Sequence, residues 1–101
     1  MKGEVEMRKI RITKTPPGFA DPKIRAQWVG VEIPLIEGTE AAEAESAMPR
    51  SSLSAGGYIV RGEDAVLALA DAGKREAAAF WSNPVPAAHL RFARDCCKLI
   101  E

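Results

Sequence analysis

The chain of 101 residues has few of the residue types that usually indicate a specific chemistry. It contains one histidine, two cysteines, two tryptophans, one tyrosine and three phenylalanines. A structural zinc site needs about four ligands, and the two cysteines and one histidine do not supply them. Aromatic residues make up only 6% of the chain, so we expect a core built mainly from valine, isoleucine, leucine and alanine.

The sequence also lacks an excess of charge and a long apolar run. Its 14 basic and 14 acidic residues give a formal net charge of zero. The strong positive charge typical of nucleic-acid-binding domains is therefore absent, although the first 25 residues are locally basic. No apolar run approaches the roughly 18 residues that span a bilayer, and residues 1–6 do not resemble a signal peptide. We expect a cytoplasmic protein with no membrane partner and no preferred nucleic-acid partner.

Residues 15–35 are the most informative part of the sequence, because they contain four of the seven prolines. Pro17 fixes φ as position i+1 of a type II turn requires, and Gly18 can adopt the positive φ of position i+2. Asp21 can accept a hydrogen bond from the first turn of a helix, and Pro22 fits the first helical position. The sequence therefore predicts a turn followed at once by a short helix.

The short helix is expected to lead into a strand. Ile24 and Trp28 are four residues apart and share one helical face, whereas the following residues alternate with a period of two. Gly30 indicates a bulge or a close backbone approach, and Pro34 places the strand at a sheet edge or at its end. The predicted apolar face consists of Val29, Val31, Ile33 and Leu35.

The rest of the chain is divided by changes in composition. Residues 7–15 and 57–61 read as strands, and residues 37–56, small, polar and acidic, read as a mobile surface loop. Residues 63–72 and 74–82 are expected to form two helices separated by Gly73. Their predicted inward-facing residues are Val66, Leu69, Ala70, Ala77, Phe80 and Trp81.

The last segment, residues 87–101, is compatible with two structures. As a helix, it would place most of its apolar residues on one side and its charged residues on the other, and this periodicity favours a helix. The alternative is a strand containing Leu90 and Phe92, a turn at residues 94–95 and a second strand over residues 96–100.

Three side chains near the end of the chain are the candidates for chemistry. Cys96 and Cys97 are adjacent and could act as metal ligands, redox sensors or nucleophiles, but the reading we favour is two ordinary reduced thiols. His89 would have to reach one of them to form a hydrolase pair. Glu63 and Asp64 are explained by the dipole of the helix that they begin. We therefore predict no catalytic residue, no metal and no cofactor.

These observations favour an α+β domain over residues 1–101. Its small antiparallel sheet of about three to five strands, open or barrel-like, would include residues 7–15, 28–35 and 57–61. It would be packed by a two-helix corner at residues 63–83. We expect a non-enzymatic protein-interaction or regulatory module with an unidentified protein partner, and a homodimer is compatible with a free sheet edge. The expected binding residues are Phe19, Arg25 and Trp28; the alternative for Trp28, which we favour, is a residue that covers the core and hydrogen-bonds through its indole N–H. The alternatives are a small-molecule binder or thiol-dependent enzyme using Cys96 and Cys97, and a weak nucleic-acid binder through the basic first strand.

Overall fold

The computed structural model describes residues 8–18, 20–47, 57–83 and 85–100. Within these ranges the chain forms four α-helices and five β-strands, and the strands make two antiparallel sheets without closing into a barrel. The predicted α+β class is therefore confirmed. The strands are β1 (Lys9–Ile12), β2 (Glu32–Pro34), β3 (Tyr58–Arg61), β4 (His89–Phe92) and β5 (Cys97–Ile100), and the helices are α1 (Pro22–Ala26), α2 (Gly38–Ala47), α3 (Gly62–Asp71) and α4 (Arg75–Ser82).

The larger sheet has the strand order β2-β1-β5, so the first strand lies at its centre. Ile10 faces Ile33 on one side and Leu99 on the other. Ile10, Ile12 and Ile33 are fully buried, as the alternation of apolar and polar residues in these strands requires. Pro34 does end β2, but Val29 lies outside the strand and is exposed.

The smaller sheet pairs β3 with β4. We expected the strand over residues 57–61 to join the first two strands in one sheet, and this prediction is wrong. Side chains alternate between the two faces of a strand, so Val60 and Phe92 point into the main core while Ile59 lies on the opposite face. The two sheets are joined where the Ile36 amide donates to the Ile59 carbonyl at 3.1 Å.

The prediction of a helix over residues 87–101 is also wrong. His89–Phe92 and Cys97–Ile100 are strands, and a 3₁₀ turn at Arg94–Cys96 separates them. They do not form a hairpin, because β4 pairs with β3 and β5 pairs with β1. Each strand thus pairs with a strand that is distant in the sequence. The helical periodicity of the segment itself contains no information about this pairing.

The turn and short helix in residues 15–35 are partly as predicted. Asp21 caps α1 by accepting from the Lys23 amide at 2.8 Å, and Pro22 occupies its first turn. Gly18 does not have a positive φ, so the type II turn is wrong. The path of this turn is instead fixed by Arg25, whose guanidinium donates to the Ala20 carbonyl at 2.9 Å and to the Pro16 carbonyl at 3.0 Å.

The helical corner forms as predicted, with its packing face slightly rotated. Gly73 has φ of +79° and ends α3; its amide donates to the Ala70 carbonyl, and the Lys74 amide donates to the Leu69 carbonyl. These two bonds are a Schellman motif. Leu69 and Ala77 are buried as expected, but Ala70 and Phe80 are exposed.

The segment predicted as a mobile loop over residues 37–56 contains a ten-residue helix, α2. Only one of its residues, Ala44, is buried, so the apolar stripe by which a packed helix is usually detected is absent. Alanine and glutamate nevertheless have high helix propensity. Residues 48–56 of the same prediction lie outside the described residues.

Candidate functional site

Two of the three predicted binding residues, Arg25 and Trp28, line the same narrow slot between α1, α4 and β4. Phe19 lies outside the described residues, but its neighbour Gly18 is part of the slot wall. The slot has a volume of about 80 Å³. The residues that line it are Pro16, Pro17, Gly18, Arg25, Trp28, Trp81, Leu90, Arg91 and Phe92.

Aromatic rings form a continuous row from the protein surface to the core at this slot. The centroids of Phe80 and Trp81 are 5.2 Å apart, those of Trp81 and Trp28 are 5.8 Å apart, and those of Trp28 and Phe92 are 4.9 Å apart. These separations lie in the range where aromatic pairs attract one another beyond their buried area. Phe80 is 48% exposed, whereas Trp28 is only 1% exposed.

The burial of Trp28 changes its role. Its ring packs in the main core with Ile24, Val60 and Leu69, so it is not an exposed recognition residue. It supports Trp81, which is half-buried at the opening of the slot. The accessible aromatic surface therefore belongs to Phe80 and Trp81, residues that the sequence pattern assigned to the core.

The indole Nε1 of Trp81 is buried and has no hydrogen-bond acceptor among the residues that the structure describes. A buried donor without an acceptor costs about 1–3 kcal/mol relative to one that is satisfied, and tryptophan N–H groups usually find a partner. This unsatisfied donor lies in a residue that lines the slot. No feature of the sequence indicates it, because it depends on what surrounds the ring.

The position of Trp81 is set by a contact between helices α1 and α4. The N-cap of α4, Lys74, makes no side-chain capping bond. Instead Gln27, which follows α1, accepts from the Ala77 amide at 3.1 Å and donates to Glu76 at 2.9 Å. A side chain from one helix thereby satisfies a free amide in the first turn of the other. This capping brings the rings of Trp28 and Trp81 together.

The cysteines and the histidine are not brought together for catalysis. Cys96 and Cys97 are both free thiols. Burial and the neighbouring Cys96 raise the pKa of the Cys97 thiol to about 12, which is opposite to the shift that activates a nucleophile. His89 lies in the other sheet, with Nε2 3.6 Å from Glu40. No group of three or more potential metal ligands occurs among the residues that the structure describes.

A broader, open cavity of about 570 Å³ lies where the two sheets meet beside α2. Its floor is apolar and includes Leu35, Ile59 and Leu99, and Arg94 lies 4.8 Å from the centre of the Tyr58 ring. Arg8 at its edge is paired with Glu37. The volume falls within the ~300–1,000 Å³ typical of small-molecule sites.

The basic charge of the first strand is largely compensated. Arg8 pairs with Glu37, and Arg11 donates twice to Glu32, at 3.0 and 2.7 Å. These arginines therefore already have anionic partners within the chain. The geometry gives no support to a nucleic-acid interface on β1.

No protein family matches this sequence, and neither do any curated protein or any solved structure. In the described part of the chain, no helix is long and apolar enough to cross a membrane.

Proposed function

We propose that this chain is a non-enzymatic protein-interaction module that binds an extended segment of a partner protein in the aromatic slot. The observation that carries the proposal is that Trp81, whose Nε1–H is buried and unsatisfied among the described residues, lines a slot together with other aromatic and proline residues. Aromatic-lined grooves bind proline-containing extended peptides in several protein modules. Because Nε1 is buried, the Trp81 ring has to turn on binding; a partner carbonyl then accepts its hydrogen bond while an apolar side chain of the partner fills the slot.

The size of the slot favours a peptide side chain as its occupant. Its volume of about 80 Å³ is well below the ~300–1,000 Å³ of sites that bind whole small molecules. Phe80, exposed beside Trp81, supplies further apolar area for the residues that flank the anchor. A few aromatic anchors carry most of the energy in such interfaces. Arg25, held by two carbonyls, would keep the proline wall in place rather than contact the partner.

The test is selection of peptides from a displayed library enriched in proline, followed by titration of the best peptide into the labelled protein. We expect the Trp81 Nε1–H resonance to shift on binding. Trp81→Phe removes the donor and keeps an aromatic ring, and we expect it to weaken binding by about fivefold to tenfold, the effect of one lost hydrogen bond. Phe80→Ala should also weaken binding.

Leu67→Ala is the matched control, since Leu67 is a 61% exposed apolar residue on α3 that does not line the slot. It should leave peptide affinity unchanged. If the selected peptides bind Trp81→Phe and Phe80→Ala as tightly as the original chain, the slot is not the binding site. If no peptide is selected, a peptide-binding function is contradicted.

A small-molecule binder is the second candidate, and the cavity of about 570 Å³ between the sheets supports it. Its apolar floor suits an amphipathic ligand whose polar end would lie at the charged rim beside Glu37 and Arg94. Titration with a medium-chain fatty acid should then shift the resonances of Leu35, Ile59 and Leu99 and leave the Trp81 Nε1–H unmoved. Shifts at Trp81 alone would contradict this candidate.

The proposed setting is a reducing cytoplasm, which the two free cysteines support. The proposal also includes a homodimer formed by pairing of sheet edges. Strand β5 pairs on one side with β1 and is the last strand of its sheet, and such an edge can pair with a second copy.

A further inference from the structure

The outer face of the β3–β4 sheet is basic. Arg61 lies opposite His89 and Ile59 lies opposite Arg91 in the strand register, and alternation places all four side chains on the same face. The only apolar residue among them is Ile59, which packs with Ile36 and Ala44 in a small separate cluster. We call these four residues, Ile59, Arg61, His89 and Arg91, the basic face.

Helix α2 packs over the basic face and places glutamate side chains against its basic residues. Glu40 accepts from Arg61 at 2.8 and 2.6 Å and lies 3.6 Å from His89. Glu45 pairs with Arg91, whose side chain is only 3% exposed. Each of the three basic side chains therefore faces a carboxylate of α2.

The spacing of these carboxylates matches the spacing of the strand. Five helical residues rise about 7.5 Å between Glu40 and Glu45, and two strand residues rise about 6.8 Å between His89 and Arg91. At 3.6 residues per turn, Glu40, Ala44, Ala41 and Glu45 form a stripe about 140° wide, with the alanines in the middle. Ala44 is buried and Ala41 partly buried, whereas Ala42 and Glu43 are exposed.

Helix α2 makes little apolar contact with the basic face, and its other contacts there are ion pairs. Its buried apolar contribution is two alanine side chains, which is small compared with the leucine or valine residues that usually anchor a helix. A ten-residue helix is also too short to be stable alone. The carboxylates of Glu40 and Glu45 are 40% and 46% exposed, so added salt weakens their attraction.

We propose that the basic face is a docking surface for an acidic helix of a partner protein, and that α2 occupies it in the free chain. Charge complementarity defines the partner: a helix with two small residues flanked by glutamates, in the pattern Glu-Ala-x-x-Ala-Glu of residues 40–45. A helix that replaces α2 would offer a carboxylate to Arg91 in the place of Glu45. Arg91 is shared with the lining of the aromatic slot, but the contacts with α2 involve neither Trp81 nor Phe80, so the proposal does not rest on the peptide-binding function.

The probe is a synthetic peptide with the sequence of residues 37–47, titrated into the full chain at low ionic strength. In the native chain α2 competes as a tethered ligand at an effective concentration of about millimolar, so the peptide should bind weakly. Glu40→Lys places an ammonium group against Arg61 and His89 and should release α2. We expect the peptide to bind Glu40→Lys at least about tenfold more tightly than the native chain.

Glu43→Lys is the matched control, because it makes the same charge change on the exposed side of the same helix. It should bind the peptide as weakly as the native chain. A scrambled peptide of the same composition should bind Glu40→Lys much more weakly than the ordered one. Equal affinity of Glu40→Lys and Glu43→Lys, or of the two peptides, would overturn the proposal, and so would a dimer of Glu40→Lys that exchanges α2 between copies.

A second experiment, hydrogen exchange of the native chain, tests the proposal even if the Glu40→Lys variant does not fold. A saturating concentration of the peptide should accelerate exchange of the α2 amides while those of β1 stay protected, because the peptide displaces α2 alone. Unchanged exchange in α2 would overturn the proposal. Trp81→Phe and Phe80→Ala should not alter either result, which distinguishes failure of this surface from failure of the slot.

Discussion

Trp28 and Trp81 contact one another, yet their surroundings give them different roles. Trp28 is 1% exposed and packs in the main core. We expect Trp28→Ala to lower the free energy of unfolding by about 3–5 kcal/mol, the usual cost of removing a buried large aromatic ring. Phe80→Ala, at a 48% exposed ring on α4, should cost about 1 kcal/mol or less. Urea denaturation of the two variants measures both values, and equal losses would contradict the assignment of Trp28 to the core.

Cys97 should be a slow nucleophile despite its adjacent partner. Burial raises the pKa of its thiol to about 12, so the thiolate fraction at pH 8 is on the order of 10⁻⁴. We expect alkylation by iodoacetamide to be far slower in the folded chain than in the urea-unfolded chain, and to increase up to about pH 12. Cys96→Ala provides a single-thiol protein for the measurement. A rate that reaches its plateau near neutral pH would contradict this and favour a thiol-dependent activity.

At the scale of elements, the junction between β3 and α3 depends on a residue without a side chain. A Cβ on Gly62 would lie 1.6 Å from the Ala87 carbonyl oxygen, whereas the Gly62 amide donates to the Ala88 carbonyl at 3.0 Å. Gly62→Ala must therefore push the chain away and break this bond, and we expect a loss at the upper end of about 1–3 kcal/mol. Gly18→Ala meets nothing closer than 3.5 Å and should change stability by less than about 0.5 kcal/mol. Thermal unfolding of both variants tests the difference.

The elements that could be predicted from the sequence are those whose formation depends on residues close together in the chain. The Asp21 cap, the helix end at Gly73 and the alternation in β1 and β2 each depend on neighbouring residues, and the structure confirms them. Helix α2 was predicted as a loop because its stability comes from arginines and a histidine that lie 21 to 49 residues away in the chain. The last two strands were predicted as a helix because their pairing partners are equally distant.

The candidate site was predictable only in part for the same reason. Arg25 and Trp28 do line the slot, where Trp28 is buried and Arg25 donates to backbone carbonyls. The features that define the site are the unsatisfied Nε1 of Trp81 and the capping of α4 by Gln27. The capping joins residues 50 positions apart, and the state of Nε1 depends on everything that surrounds the ring, so no local pattern encodes either feature.

For the whole molecule, the arrangement predicts that acid releases α2 before the core unfolds. Hydrogen bonds from Arg8 and Arg61 hold the pKa values of Glu37 and Glu40 below the ordinary value of 4.5. A lowered pKa stabilises the folded form fully above the unfolded value, and this contribution is lost as the pH falls through the lower native value. The core around Ile10, Trp28 and Leu69 contains no buried charged residue among those described, so its own contacts do not titrate in this range.

We therefore expect two steps in an acid titration below pH 4.5. Circular dichroism at 222 nm should lose part of the helical signal first, and the fluorescence of the adjacent Trp28 and Trp81 should change only at lower pH. Added salt should move the first step toward higher pH, because it screens the ion pairs that hold α2. Glu40→Gln has no carboxylate at position 40 to protonate, so much of the first loss of helical signal seen in the native chain should be missing from its titration. Glu43→Gln should show this first loss at the same pH as the native chain. Coincident transitions of the two signals in the native chain would show that α2 and the core form a single cooperative unit, and the basic face would then not be available to a partner without global unfolding.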